Sequence, residues 1–80
     1  MKENVIVNGR RWFDRINGNT YHTVSIYLFN DDKIIESDIK YGYGNHYIQT
    51  AEYILKLNGY DLNDLNIKYD VYDVNRKKDL

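Results

Sequence analysis

The chain of 80 residues has no cysteine, so neither a disulfide nor thiolate zinc can staple it. It also lacks charge of one sign: 11 Lys and Arg against 12 Asp and Glu leave a net charge of −1. A general nucleic-acid binder is usually strongly basic, and an acidic DNA mimic needs a large carboxylate excess, so neither simple class fits. No apolar run approaches the roughly 18 residues of a membrane helix. No signal-peptide pattern is present either. The expectation is a cytoplasmic protein with no membrane partner. Repeats, low-complexity segments and linkers are missing too, which makes residues 1–80 one domain, with 75–80 as a frayed polar tail.

A chain this short buries only about 60% of its unfolded surface, so the core is small. Nine Tyr, two Phe and one Trp supply large rings for it. Nine Tyr are more than such a core can hide, and surface Tyr is a feature of binding faces.

One helix is legible, around Tyr47–Asn58. At 100° per residue, Tyr47, Ile48, Ala51, Ile54 and Leu55 share one arc, flanked by Thr50 and Leu57. Asn45 is the expected N-cap, its side-chain oxygen accepting from a first-turn amide. Asn58-Gly59 closes the helix. A lone amphipathic helix needs a sheet to bury its apolar arc.

The rest reads as strand and turn. Asn4–Val7 is a short first strand, placed at a sheet edge and ended by the Asn8-Gly9 turn pair. Arg10–Ile16 and Tyr21–Phe29 form a hairpin about Asn17-Gly18-Asn19-Thr20. Val24, Ile26 and Leu28 face the helix, while Thr23, Ser25, Tyr27 and Phe29 face away. Loop length sets which residues of the preceding strand join them. A two- or four-residue loop puts Phe13 on the core side with Arg11 and Arg15. A three-residue loop, Asn17–Asn19, puts Trp12 and Ile16 there with Arg10 and Asp14. Trp12 is the best single core candidate, which favours the three-residue loop. Lys33–Tyr41 is a fourth strand with Ile35, Ser37, Ile39 and Tyr41 on one face. After the helix, Leu62 and Leu65 anchor a loop or single helical turn, and Ile67–Val74 is a last, edge strand. The expected architecture is α+β, in the order β-β-β-β-α-β. A four- or five-stranded antiparallel sheet carries one helix packed on one face.

Catalytic and metal motifs are not visible. His22 and His46 have no partner at ligand spacing, and the acidic residues Asp31, Asp32, Glu36 and Asp38 lack calcium-loop spacing. No metal or cofactor is expected. With no activated nucleophile or acid–base pair the chain is read as a non-enzyme; a cleft joining both histidines and a carboxylate would change that. Gly42, Gly44 and Asn45 precede the helix and are a weak candidate anion site, since first-turn amides point outward. Arg10, Arg11 and Arg15 lie among Trp12, Tyr21 and His22 in the hairpin. Interleaved Arg and aromatics suit protein contacts, and also single-stranded nucleic acid. The candidate partner-binding residues are Arg11, Arg15, Tyr21, Tyr27, Phe29 and Tyr43. The open sheet face should carry Tyr27, Phe29 and either Phe13 or Trp12. A homodimer through a sheet edge or the aromatic face is a further expectation.

The stretches Trp12-Phe13-Asp14, Gly18–Val24, Tyr41-Gly42-Tyr43-Gly44 and Tyr47-Ile48-Gln49-Thr50-Ala51 resemble small bacteriophage-encoded proteins. The resemblance covers residues 10–57. It implies a protein that binds, and inhibits, a host protein complex in the host cytoplasm, as some phage proteins do to defence systems such as CRISPR–Cas. It transfers no site residues. The alternative is a nucleic-acid or nucleotide binder using the Arg10–Arg15 hairpin and the Gly42–Asn45 turn.

Overall fold

Val5, Val7 and Gly9 are buried and alternate with Ile6, Asn8 and Arg10, and the strand runs on unbroken to Asp14. The computed structural model describes residues 2–80. In it Glu3–Asp14 is a single strand, β1. The Asn8-Gly9 pair is not a turn, and β1 is not an edge strand. It lies between β2 (Asn19–Leu28), which is antiparallel to it, and β5 (Leu65–Val74), which is parallel. The physical reason is at Gly9. A Cβ built there would lie 2.7 Å from Tyr47 Cδ2 and 3.2 Å from Val71 Cγ2. The glycine serves close approach of a helix ring, not chain reversal.

β3 (Lys33–Glu36) and β4 (Lys40–Tyr41) both pair with β2. The expected fourth strand is thus split. Ser25 faces Glu36 and His22 faces Lys40, so three steps along β2 match four along its neighbour. That extra residue is a bulge. Ser37 pins it: its amide donates to Val24 O and its hydroxyl accepts from Val24 N, each at 2.9 Å. The bulge reverses the side-chain alternation. Tyr41, expected on the face of Ile35, pairs with Tyr21 on the other face.

The architecture is therefore the α+β one expected from sequence: a five-stranded sheet and one helix. Its parallel β5 makes the sheet mixed. The helix, α1 (His46–Leu57), lays Tyr47, Ala51 and Leu55 on Val5, Val7, Val24, Ile26 and Leu28. Gly59 N–H donates to Lys56 O and Tyr60 N–H to Leu55 O, each at 3.0 Å, which is the two-bond Schellman closure. Leu65 is buried and Leu62 half-buried beyond it, on a 3-10 turn at Leu62–Asp64. Asn45 precedes the helix but makes no side-chain cap bond, contrary to expectation.

The hairpin register corrects the preferred loop. Asp14 faces Asn19, so four residues, 15–18, form the loop and Gly9 faces Val24. Phe13 and Arg11 share the helix face, and Trp12 turns to the open face. The Asp14 carboxylate closes the loop by accepting from the Asn17 side chain at 2.8 Å and the Ile16 amide at 3.0 Å. The Asn17 bond foremost holds it below the usual carboxylate range. Ile16, placed in the core by the three-residue option, is 94% exposed.

Candidate functional site

A strand of β1's length spans about 40 Å, whereas α1 is only about 18 Å long. The helix covers the Val5–Gly9 end and leaves the hairpin end bare, which gives the molecule extents of 46 × 17 × 17 Å. Of the residues singled out from sequence, Arg11, Arg15, Tyr21 and Tyr43 lie toward that bare end, whereas Tyr27 and Phe29 lie at the other, level with Ile6 and Asn4.

The open face carries the larger aromatic surface. Cross-strand pairing sets Tyr41, Tyr21, Trp12 and Val74 in one row. Trp12 and Tyr21 stack at 5.9 Å, and Tyr41 meets Tyr21 edge-on at 5.8 Å. Arg10 lies beside this row, its Nε donating to Tyr72 Oη at 2.7 Å. A polar row follows, Glu36, Ser25, Asn8 and Asp70. Beyond it come Ile34, Tyr27 and Ile6, with Phe29 packed on Tyr27 at 4.6 Å. The Tyr27 hydroxyl donates to Asp32 at 2.8 Å, and that bond foremost raises its pKa.

On the helix side, a groove of about 790 Å³ opens past the N-terminus of α1. Arg11, Phe13, Arg15, Tyr43 and Asp73 are among its walls. Tyr43 is 76% and Phe13 54% exposed. Arg11 is tied down: Nε pairs with Asp73 at 2.8 Å, and Nη1 donates to Gly44 O at 3.0 Å. The six candidate contact residues thus fall into two groups. Tyr21, Tyr27 and Phe29 share the open face, and Arg11, Arg15 and Tyr43 share the groove. Trp12 and Tyr41 complete the first group. Sequence reasoning missed Trp12 because it preferred the three-residue hairpin loop, which turns that residue to the core, and Tyr41 because the bulge has no mark in the residue pattern. Adjacent strand residues point to opposite faces, so Arg10 and Arg11 do not form one basic patch.

In and after the Gly42–Asn45 turn three amides are bonded to backbone carbonyls. Gly42 N–H donates to Thr20 O, His46 N–H to Tyr43 O and Ile48 N–H to Asn45 O, at 3.0, 3.1 and 3.0 Å. Gly42 is buried, and a Cβ there would meet the His46 ring at 2.5 Å.

That contact belongs to a cluster that sequence spacing did not indicate. The His22 ring is fully buried and lies 5.5 Å from the His46 ring. Its Nδ1 is 3.2 Å from Gly42 O, and its Nε2 is 2.6 Å from Thr50 Oγ1. A carbonyl only accepts, so Nδ1 carries the hydrogen, and in the neutral ring Nε2 then accepts from the Thr50 hydroxyl. Burial pushes the His22 pKa down, with the charges of His46 and Lys40 acting in the same direction and the Gly42 carbonyl opposing. The unfolded chain therefore takes up a proton below its usual value near 6.5 while the folded one resists. Stability is full above that value and falls as pH drops below it. Melting temperatures measured at pH 7.5 and 5.5 should show the loss, and His22→Gln should shrink it.

The adjoining cleft, of about 480 Å³, is walled by Lys40, Tyr41, His46, Gln49, Thr50 and Tyr53 and contains no carboxylate. Among the described residues no three His, Cys, Asp or Glu side chains gather as around a metal ion. Among them, too, no helix is long and apolar enough to cross a membrane. No family model, curated protein or solved structure matches the chain.

Proposed function

We propose that this chain is a non-enzymatic, phage-type binding protein that captures and inhibits a host protein complex, such as a CRISPR–Cas effector or another defence assembly. The target class rests on the resemblance described above. The observation that carries the binding reading is the aromatic row Trp12, Tyr21 and Tyr41 on the open sheet face, beside Arg10. The fold buries its core on the opposite face, so this row contributes little to the interior. Trp, Tyr and Arg are the residues that dominate protein–protein affinity.

A second reading, capture of single-stranded nucleic acid, is favoured by one feature. A stacked Trp and Tyr on an open sheet, with Arg alongside, is also a platform for bases. Against it stand Glu36 and Asp70 on the far side of the Arg10 row, and the division of Arg10 and Arg11 between faces.

Tagged protein should retain a stoichiometric host protein from lysate after nuclease treatment. Trp12→Ala and Tyr21→Ala should each weaken that capture by about thirtyfold, the effect of losing a hot spot of ~2 kcal/mol. Unchanged capture by folded variants would remove the open face from consideration. Recovery of nucleic acid alone, with steep salt dependence, would select the second reading.

A further inference from the structure

The two edges of the sheet are built differently. The β3–β4 edge is short and bulged at Ser37, devices that discourage pairing with another chain. β5 is ten residues long, regular and free of Pro and Gly. It pairs with β1 on one side, and among the described residues no strand lies on the other. Its outward N–H and C=O groups are therefore free to extend the sheet. Ile67, Tyr69 and Val71 are half-buried against the core, while Lys68, Asp70 and Tyr72 are exposed on the open face. Lys68 and Asp70 carry opposite charges two residues apart, and among the described residues neither forms an ion pair.

We propose that β5 pairs antiparallel with β5 of a second copy, in the register that sets Tyr69 opposite Tyr69. A two-fold axis normal to the sheet keeps both helices on one side. It also requires some residue to face its own copy at the centre. Centring on Lys68 opposes two lysines. Centring on Asp70 opposes two aspartates. Centring on Tyr69 sets Lys68 against Asp70, Ile67 against Val71 and Leu65 against Asp73, each twice, across residues 65–73. Centres further from the middle of the strand shorten the overlap. Directly opposed unlike charges stabilise an antiparallel pair, and like charges destabilise it. The charge pattern thus selects one register and disfavours its neighbours. Two five-stranded sheets become one of ten strands, with both aromatic rows on the same side. This inference stands independently of the proposed function.

Sedimentation equilibrium of the full chain should give a dimer mass at micromolar concentration. Lys68→Asp alone, or Asp70→Lys alone, should weaken dimerisation by about tenfold, because each opposes like charges twice. The double variant Lys68→Asp/Asp70→Lys should restore it. Both sites are exposed, so thermal melts should show each variant folded. A wild-type monomer at hundreds of micromolar would overturn the proposal. So would single variants that dimerise like wild type, or a double variant as weak as the singles.

Discussion

Replacing Gly9 by valine is expected to destabilise the domain by about 3 kcal/mol, the upper end of ordinary overpacking in a core. Local preference argues the other way. Glycine inside a strand is unfavourable by roughly 0.5–1 kcal/mol, and valine is a strong strand former. Tertiary packing overrides this, because a Cβ at position 9 would lie 2.7 and 2.9 Å from Cδ2 and Cγ of Tyr47. Those atoms are the base of a buried ring and cannot swing aside as a flexible tip would. In an 80-residue domain this loss is a large share of total stability. Urea denaturation should show a lower midpoint. In a Tyr47→Ala background the Gly9→Val penalty should shrink markedly, since its clash partner is gone. An equal penalty in both backgrounds would mean that the ring contact is not the cause.

The second large effect is at His22. His22→Ala should cost about 3 kcal/mol, comparable to removing a buried aliphatic side chain of similar size. Packing and hydrogen bonding contribute separately. His22→Phe fills the space, its ring being somewhat larger than imidazole, but leaves the Thr50 hydroxyl and the Gly42 carbonyl without their ring partner. Unpaired buried polar groups cost about 1–3 kcal/mol. The phenylalanine variant should therefore fall between wild type and alanine in chemical denaturation. A phenylalanine variant as stable as wild type would show that the two ring bonds add nothing.

His22 also marks where sequence reasoning stops. Its partners come from three places in the chain: Gly42 after β4, His46 at the start of α1 and Thr50 one turn later. No spacing rule links position 22 to position 42 or 50. The helix, by contrast, was legible almost to the residue, because its apolar arc and closing Asn58-Gly59 are local features. β2 was legible for the same reason: Val24, Ile26 and Leu28 alternate with polar or aromatic neighbours over a single short span.

The candidate site was legible in its parts rather than its arrangement. Tyr21, Tyr27 and Phe29 were assigned to the surface, and they lie on the open sheet face. Arg11 was grouped with them and lies on the other side, paired with Asp73. Trp12 was assigned to the core and stacks on Tyr21. Both errors follow from one register choice, since a shift of one residue exchanges the faces of a whole strand.

By itself the sequence determined the α+β class, the helix and its sheet-facing arc, and the absence of thiol chemistry or charge excess. These follow from composition and from periodicities of 3.6 and 2, which are local and need no partner. Only the tertiary structure decided the rest. It merged two expected strands through Gly9, split the fourth at Ser37, set β5 parallel to β1 and joined His22 to Thr50. Each depends on which distant side chain fills a space or completes a hydrogen bond, and linear order does not record that.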